Sequence, residues 1–580
     1  MPCVQPKIVR GDYVGKFCDI QSRNELADYL KVPRKKLTYL LYILTPEKCY
    51  HSFEIPKKNG GTRTINAPSS DLKYVQKMLA NALYSYQKEY RESEGIQQKV
   101  SHAFEKEKSI ITNAVIHRNK RYVLNVDLES YFDSFHIGRV IGYFENNRHF
   151  RFPHEVAVTI AKIACYQGKL PQGSACSPII TNLICENLDV KLIRLAKKHL
   201  LDYTRYADDI TFSTNCADFA TTQEAFMTEL VTTIKSAGFV INPKKTRLQY
   251  RDSQQKVTGL VVNRKVNVDQ DYFRETKAMA YHQYKEGNFT IGGEEGTLNQ
   301  LEGRFAFINQ IDKYNNKIDG QKHSVYHLNG RERQYQAFLF YRYFFCAEKP
   351  LIITEGKTDI LYLKAALKNM YKDYPNLIER DAKGVYHYKV SFFLRSKKWE
   401  YFFGMAMDGA DTITKLYRYY LPGGDTKDYL SHFRTMTGKD PSNPVVFLFD
   451  NETQTKDKPL KKFLADKTIS SAMKETLQEK LMVELRENSK VFLMTSPLPT
   501  GTTESEIEDL LPGEILTMKI EGREFDRTGK KDKERFYNKD VLSRYVYQQY
   551  EEIDFSGFKR LLDALDALVA LQSPSECVSV

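Results

Sequence analysis

Asp127 and the pair Asp208-Asp209 are the residues of this sequence whose type and placement best suit metal-dependent chemistry. Residues 121–127 read as an apolar strand that stops on an acid, and residues 203–213 read as two β runs hinged on two acids. A tight strand–turn–strand can aim paired carboxylates at one point, and a neighbouring strand can supply a third. Phosphoryl transfer to a nucleotide needs two divalent cations, which bind the attacking and the leaving oxygen. Mg²⁺ takes hard oxygen ligands and keeps several waters, so a few carboxylates are enough. An Asp-Asp pair alone is more often a plain solvated turn, so the weight falls on the motifs around it.

A second set of acids follows short apolar runs. Residues 351–354 lead into Glu355-Gly356-Lys357-Thr358-Asp359, and 445–449 lead into Asp450-Asn451-Glu452. Residues 490–494 lead to a loop carrying Glu506, Glu508 and Asp509. Acids delivered at the C-terminal ends of three strands are a metal-site layout for an open α/β sheet. Any one of them could be an acidic helix N-terminus favoured by the helix dipole; three in a row weaken that alternative.

The elements that must position these acids can be read from pattern. A hairpin is expected over 53–66 around Asn59-Gly60-Gly61. Helices are expected near 69–92, 154–167, 178–200 and 219–237, then short strands at 246–250 and 257–262, then helices near 271–286 and 297–313. The polar, glycine-containing stretch that follows reads as a linker, placed at 316–348. Beyond it, continuous apolar runs separated by helical stretches predict a mostly parallel, buried sheet in an α/β domain.

The chain has 580 residues, with 86 Lys+Arg against 73 Asp+Glu and a net charge of +13, so several domains are expected. The charge is uneven. Residues 1–350 hold 51 basic and 37 acidic residues, and 351–580 hold 35 and 36, so the whole excess lies in the first part. A basic surface points to a polyanionic partner, with nucleic acid the usual one. Nine cysteines without a Cys-x-x-Cys pair argue against a disulfide framework or a structural zinc site and for a reducing compartment. No apolar run reaches the roughly 18 residues needed to span a bilayer, and no secretory signal is evident at the N-terminus. A cytoplasmic protein with no membrane partner is therefore expected.

Tyr206-Ala207-Asp208-Asp209 has the form Tyr-x-Asp-Asp, preceded by Leu170-Pro171-Gln172-Gly173 and by Asp127-Leu128-Glu129-Ser130-Tyr131-Phe132. In order, spacing and content these motifs resemble the reverse transcriptases. Asn113-Ala114-Val115-Ile116-His117 and Val257-Thr258-Gly259 resemble the NAxxH and VTG motifs of the retron enzymes. The resemblance covers roughly 20–315 and implies an α+β right-hand polymerase, with fingers and palm over 1–244 and an RNA-binding thumb over 245–315. It implies that Asp127, Asp208 and Asp209 are palm Mg²⁺ ligands and catalytic residues. Phe132 would be a steric gate against a 2′-OH, Gln172 would lie near the incoming base, and Arg63 and Lys245 would bind substrate, with Lys57 and Lys58 near Arg63 and Lys244 the fallback for Lys245. The implied partners are dNTPs, a cognate retron non-coding RNA and msDNA, the branched product primed from the 2′-OH of an internal guanosine.

Residues 349–580 resemble the Toprim domain, particularly the version in OLD-family nucleases, through Glu355-Gly356-x-Thr358-Asp359. That likeness implies an α/β Toprim domain binding Mg²⁺ or Mn²⁺ through Glu355, Asp359, Asp450 and Glu452, with Glu508 and Asp509 at a second site. Glu452 departs from the usual Asp-x-Asp by one methylene. Lys533 aligns with a late lysine that would stabilise transition-state charge. The expected whole is a reverse transcriptase fused to a nuclease restrained by msDNA, in a setting such as antiphage defence; a homo-oligomer is compatible with it. The competing reading makes the C-terminal part a non-catalytic docking or oligomerisation module.

Overall fold

The strand Tyr122–Asp127 is buried along almost its whole length and lies inside a four-stranded antiparallel sheet. The strand order is Asp202–Tyr206, Asp209–Thr214, Tyr122–Asp127 and Arg247–Tyr250. Its register sets Asp127 directly opposite Asp209, so the acid that ends one strand meets the acid that begins another. The helix Ser177–Lys198 packs against the outer strand Asp202–Tyr206. The computed structural model describes residues 16–56, 60–97, 99–406 and 412–572. It divides into two compact units, which meet in sequence at Asp269 and Gln270.

In the first unit the expected hairpin forms from Tyr50–Pro56 and Thr62–Pro68, paired antiparallel. Lys57, Lys58 and Asn59, at its tip, lie outside the described residues. A second, very short hairpin joins Lys256–Val257 to Leu260–Val261. Its two turn residues, Thr258 and Gly259, have φ of 46° and 82°, the paired positive values of a type I′ turn. The turn touches the helix Ile110–Ala114, where the Thr258 hydroxyl donates to the Ile110 carbonyl at 3.4 Å. The NAxxH and VTG segments are thus neighbours in space although they lie far apart in sequence.

The second unit is built on a five-stranded sheet ordered Ser391–Phe392, Leu351–Thr354, Val445–Phe449, Val491–Thr495, Met482–Glu484. The first four strands are parallel and the last is antiparallel. Both faces are covered, which is why these strands read as unbroken apolar runs rather than alternating ones. Leu351, Ile353, Val445 and Phe447 point into one core, and Ile352, Val446 and Leu448 into the other.

The first of those cores differs from the expected domain plan. Within the stretch expected as a thumb, the short strands up to 261 stay with the first unit. The helices Gln270–Glu286 and Leu298–Ile318 belong to the second. Tyr284, Leu301 and Phe305 share an aromatic core with Tyr335, Phe338, Phe340, Trp399, Phe402 and Phe433. Much of the expected linker is helix, running from Gly330 to Phe340 and continuing through Phe345. Its start is set by Asn329, which accepts from the Glu332 backbone N–H while the Glu332 side chain accepts from the Asn329 N–H. That reciprocal cap is a sequence signal for a helix start, and the polar residues around it masked the apolar face that follows. Among the described residues no helix is long and apolar enough to cross a membrane.

Phe338 is fully buried where these helices meet. Phe338→Ala is expected to destabilise the second unit by about 3–5 kcal/mol, measured by denaturant unfolding. Proteolysis of that variant should open both 298–318 and 399–433; cleavage confined to one of them would show two separate cores.

Candidate functional site

Ala207 and Asp208 form the two-residue turn between the paired residues Tyr206 and Asp209. Ala207 sits at φ of 57°, an uncommon conformation for a residue with a Cβ, of the kind that persists only where surroundings enforce it. Arg205 supplies part of that enforcement. Its guanidinium is fully buried and donates to the Ala207 carbonyl at 3.4 Å. The same guanidinium makes a forked pair with Asp189, Nε and one terminal nitrogen each at 2.8 Å. Burial opposes the Arg205 charge, but Asp189 more than offsets this and keeps it protonated. Tyr203 completes the cluster by donating to Asp189 at 2.7 Å. On the other side of the turn, the Leu128 N–H donates to the Asp208 carbonyl at 3.1 Å.

His117 clamps the strands on either side of this turn. Its two ring nitrogens lie 2.7 Å from the Ser213 and Thr204 hydroxyls, one on each strand. Burial pushes its pKa down to about 3, so the imidazole is neutral and its part is structural.

Three carboxylates meet at the turn. Asp127 accepts from Lys245 Nζ at 3.0 Å and from the Asn242 amide at 3.2 Å. Burial raises Asp208, with Asp127 adding to the shift, while Lys245 and Arg63 pull the other way. Burial, then Asp208 and Asp127, push Asp209 up to about 6. Lys245, rather than the neighbouring Lys244, is therefore the lysine at the acids, and Arg63 stands close enough to act on Asp208. Phe132 is half-buried in a short helical turn beside Tyr131. Gln172 accepts through its carbonyl from the Asn66 N–H at 2.8 Å, which ties its turn to the exposed hairpin. Gly173 has φ of 123°, and a Cβ there would stand 2.4 Å from the Asn66 oxygen, so only glycine allows the two segments to touch.

The second unit gathers its acids at strand ends. Ligand oxygens of Glu355, Asp450 and Glu452 lie within 4.8 Å of one another. Asp359 caps the turn after Glu355 by accepting from the Gly356 N–H at 2.7 Å. A Cβ at Gly356 would lie 2.7 Å from Asp359 Oδ1, so a larger residue there would push the Asp359 carboxylate aside. Asp450 accepts from the Ile507 N–H at 2.8 Å, which brings the 506–510 segment to the cluster. Glu508 is fully buried there and pairs with Lys539 at 3.1 Å. Burial, then Asp359 and Glu452, push Glu355 up to about 7; burial pushes Glu508 up to about 7 against the pull of Lys539. Asp450 is driven well above the carboxylate range by burial and by Asp359, Glu355 and Glu508.

Two expected members stand elsewhere. Asp509 accepts from the Glu506 N–H at 2.9 Å and pairs with Arg527. Burial would raise it, but Arg527, the Glu506 N–H and Lys539 together outweigh burial and hold it below the usual range. Lys533 is exposed on its loop. The lysine that reaches the acids is Lys539, bridging Glu506 and Glu508 at 3.1 Å each. Lys539 opens the helix Lys539–Gln548, where the helix dipole disfavours a cation; a lysine in that position is the signal that could have marked it. Lys458, also not anticipated, pairs with Glu452.

The sequence matches the reverse transcriptase (RNA-dependent DNA polymerase) family over residues 55–263. The retron Ec86 reverse transcriptase of Escherichia coli is 33% identical over 294 residues, covering 50% of this chain and 85% of that protein. The chain belongs to the retron reverse transcriptases. The retron Mx162 reverse transcriptase of Myxococcus xanthus is 32% identical over 325 residues, covering 51% of this chain and 64% of that protein. A solved telomerase from Candida albicans overlaps at a TM-score of 0.31 and 10% identity, covering 50% of this chain and 58% of that one, too loosely to add to this. As a retron reverse transcriptase the protein is an RNA-directed DNA polymerase, and such enzymes are generally dependent on divalent metal. The Asp127–Asp208–Asp209 cluster lies within the matched residues, and the Glu355 cluster lies beyond them.

Gly173→Ala forces the Gln172 turn away from the hairpin, and a displacement of that size near reacting groups costs about 10²-fold in rate. Primer extension by this variant should fall by that order while its circular dichroism stays unchanged. The raised carboxyls also set a pH dependence. Their folded pKa values exceed the unfolded carboxylate value of about 4, so the folded state holds extra protons between the two. The stability they contribute is complete below pH 4 and is lost as pH rises through about 7 for Glu355 and Glu508. Without metal, the melting temperature of Glu355→Gln is expected to exceed that of the unchanged protein by more at pH 8 than at pH 5.5. Added Mg²⁺ or Mn²⁺ should narrow that difference.

Proposed function

We propose that this retron reverse transcriptase copies a cognate non-coding RNA into branched msDNA, priming from the 2′-OH of an internal guanosine, and that its C-terminal unit is a Toprim metal-dependent nuclease restrained by msDNA. In this reading Asp127, Asp208 and Asp209 hold two Mg²⁺ ions, which supply charge neutralisation at the transferring phosphoryl group. The protein's own part is positioning. Arg205 and His117 fix the turn that aims the acids. Phe132 lies where a ring would exclude a ribose 2′-OH. Arg63 and Lys245 meet the triphosphate, and Gln172 lies beside the incoming base.

The observation that carries the nuclease reading is the convergence of Glu355, Asp450 and Glu452 within 4.8 Å at the ends of parallel strands. Their chemistry fits Mg²⁺ or Mn²⁺, because the donors are hard oxygens. Glu355 Oε2 and Glu508 Oε1 are also buried with no hydrogen-bond partner among the described residues, and orphaned buried carboxylate oxygens are what a cation would satisfy. Asp359 and Glu508 would complete the set, with Lys539 next to them to stabilise charge on a cleaved phosphate. Asp509, held by Arg527, is the weakest of the proposed ligands. A polymerase that retains its product beside a nuclease in one chain needs restraint, and release by a trigger such as phage infection would make the pair a defence system.

A second reading, a non-catalytic docking module, is favoured by one feature. Lys458 and Lys539 already neutralise part of the cluster. Three measurements test these assignments. Asp208→Asn should abolish cDNA synthesis, and DNA product from that variant would remove the palm assignment. Glu355→Ala should retain cDNA synthesis and lose nucleic-acid cleavage and cell toxicity; unchanged toxicity would support the docking module. Purified msDNA-free protein should cleave faster than the msDNA-bound form, and equal rates would remove the restraint.

A further inference from the structure

A cavity of about 720 Å³ in the second unit opens between the helix Gln270–Glu286, residues 325–337 and residues 419–436. None of the acids of either cluster lines it. Its volume is that of a small-ligand site, and its lining combines two chemistries. Lys277, Arg333 and Lys427, with His432, bring cationic or protonatable groups, against one acid, Asp425. Tyr281, Tyr326, Tyr419 and Tyr429 bring aromatic rings.

The arrangement is built. Tyr419 and Tyr429 are buried and near-parallel, with centroids 6.0 Å apart and planes 13° apart. Gln336 holds both, donating to the Tyr419 hydroxyl at 3.2 Å and accepting from the Tyr429 hydroxyl at 2.8 Å. Arg333 donates through Nε to the Leu328 carbonyl at 3.0 Å, which orients its fork. Tyr281 and Tyr326 are instead 51% and 52% exposed, which leaves ring surface available for stacking.

The observation that points to a ligand is Tyr284. This residue lines the cavity and is 7% exposed, and its hydroxyl is buried with no hydrogen-bond partner among the described residues. Buried hydroxyls are almost always paired, so this orphan, on a side chain that lines the cavity, is an unused donor and acceptor. Flat rings suit the face of a base. A fixed arginine fork with two lysines suits a phosphate. A lone hydroxyl suits a base edge or a ribose oxygen.

We propose that this cavity binds a nucleoside phosphate, with the base against Tyr281 and Tyr326, the phosphate on Arg333, Lys427 and Lys277, and the Tyr284 hydroxyl bonded to the base or sugar. The ligand is either a free nucleotide or one nucleotide of a single strand. All of the lining lies beyond residues 55–263, the part matched to the reverse transcriptase family, and within the second unit. It does not depend on the nuclease assignment.

Calorimetric titration of the full chain tests this, with EDTA present to silence metal-dependent binding in the palm. The probes are ATP, AMP, adenosine and a six-residue deoxyadenosine strand. One equivalent of AMP or ATP should bind at least tenfold more tightly than adenosine. Arg333→Ala and Lys427→Ala should each weaken that binding about tenfold. Tyr284→Phe removes only an unpartnered hydroxyl, so it should keep the melting temperature and weaken binding severalfold. If the mononucleotides fail to bind while the strand binds and is weakened by the same substitutions, the site is filled by a strand. Absence of binding by every probe, or binding that all three substitutions leave unchanged, overturns the proposal.

Discussion

Carboxylates crowded together at the ends of buried strands are the constraint around which both units are arranged. Like charges a few ångströms apart in a poorly hydrated place repel by several kcal/mol, and such a cluster survives only with protons or cations to neutralise it. In the first unit Lys245 sits on Asp127, and Arg63 acts on Asp208. In the second, Lys539 spans Glu506 and Glu508, and Lys458 holds Glu452. Burial, with neighbouring acids adding to it, outweighs that neutralisation, which is why Asp209, Glu355 and Glu508 hold their protons to unusually high pH.

Holding such acids in place needs rigid support from groups that do no chemistry. Beneath the palm turn the support is the Arg205–Asp189 pair, completed by Tyr203 and Asn182. A buried ion pair adds little net stability over an apolar substitute, but losing one partner leaves an uncompensated charge. Its value here is geometric, since the same guanidinium that satisfies Asp189 also holds the Ala207 carbonyl at its positive φ. In the second unit the supports are backbone N–H groups, from Gly356 to Asp359 and from Ile507 to Asp450. The second of these brings together segments that the sheet alone would leave apart.

Much of the palm was legible because its signals are local. A strand ending on Asp127 and a hinge at Asp208-Asp209 can be seen in a few residues, and β pairing then sets Asp127 against Asp209. The three apolar runs of the second unit were legible for the same reason, and they do form parallel neighbours. The misplacements are all long-range. Lys533 lies on an exposed loop while Lys539, on the following helix, reaches the acids. Asp509 and Glu508 are adjacent in sequence but face different partners, because a tight helical turn separates their directions. The stretch read as a linker hides a helix whose apolar face shows only once its aromatic partners at 399–433 are beside it.

The sequence by itself determined where acids stand at strand ends, the polymerase family its motifs resemble, the order of most elements and the basic first half. Those properties are set by residue type, by short-range spacing and by backbone pairing along a strand. Tertiary structure alone decided that Lys539 and Lys458 neutralise the second acid cluster and which acid of the Glu508-Asp509 pair enters it. It also placed the helices of 270–318 in one core with residues 330–345 and 399–433, and left the hydroxyl of the cavity-lining Tyr284 without a hydrogen-bond partner among the described residues. The reason is physical. Each of these depends on which side chains meet across tens or hundreds of residues, and burial there changes both the cost of a charge and the number of partners a polar atom can find.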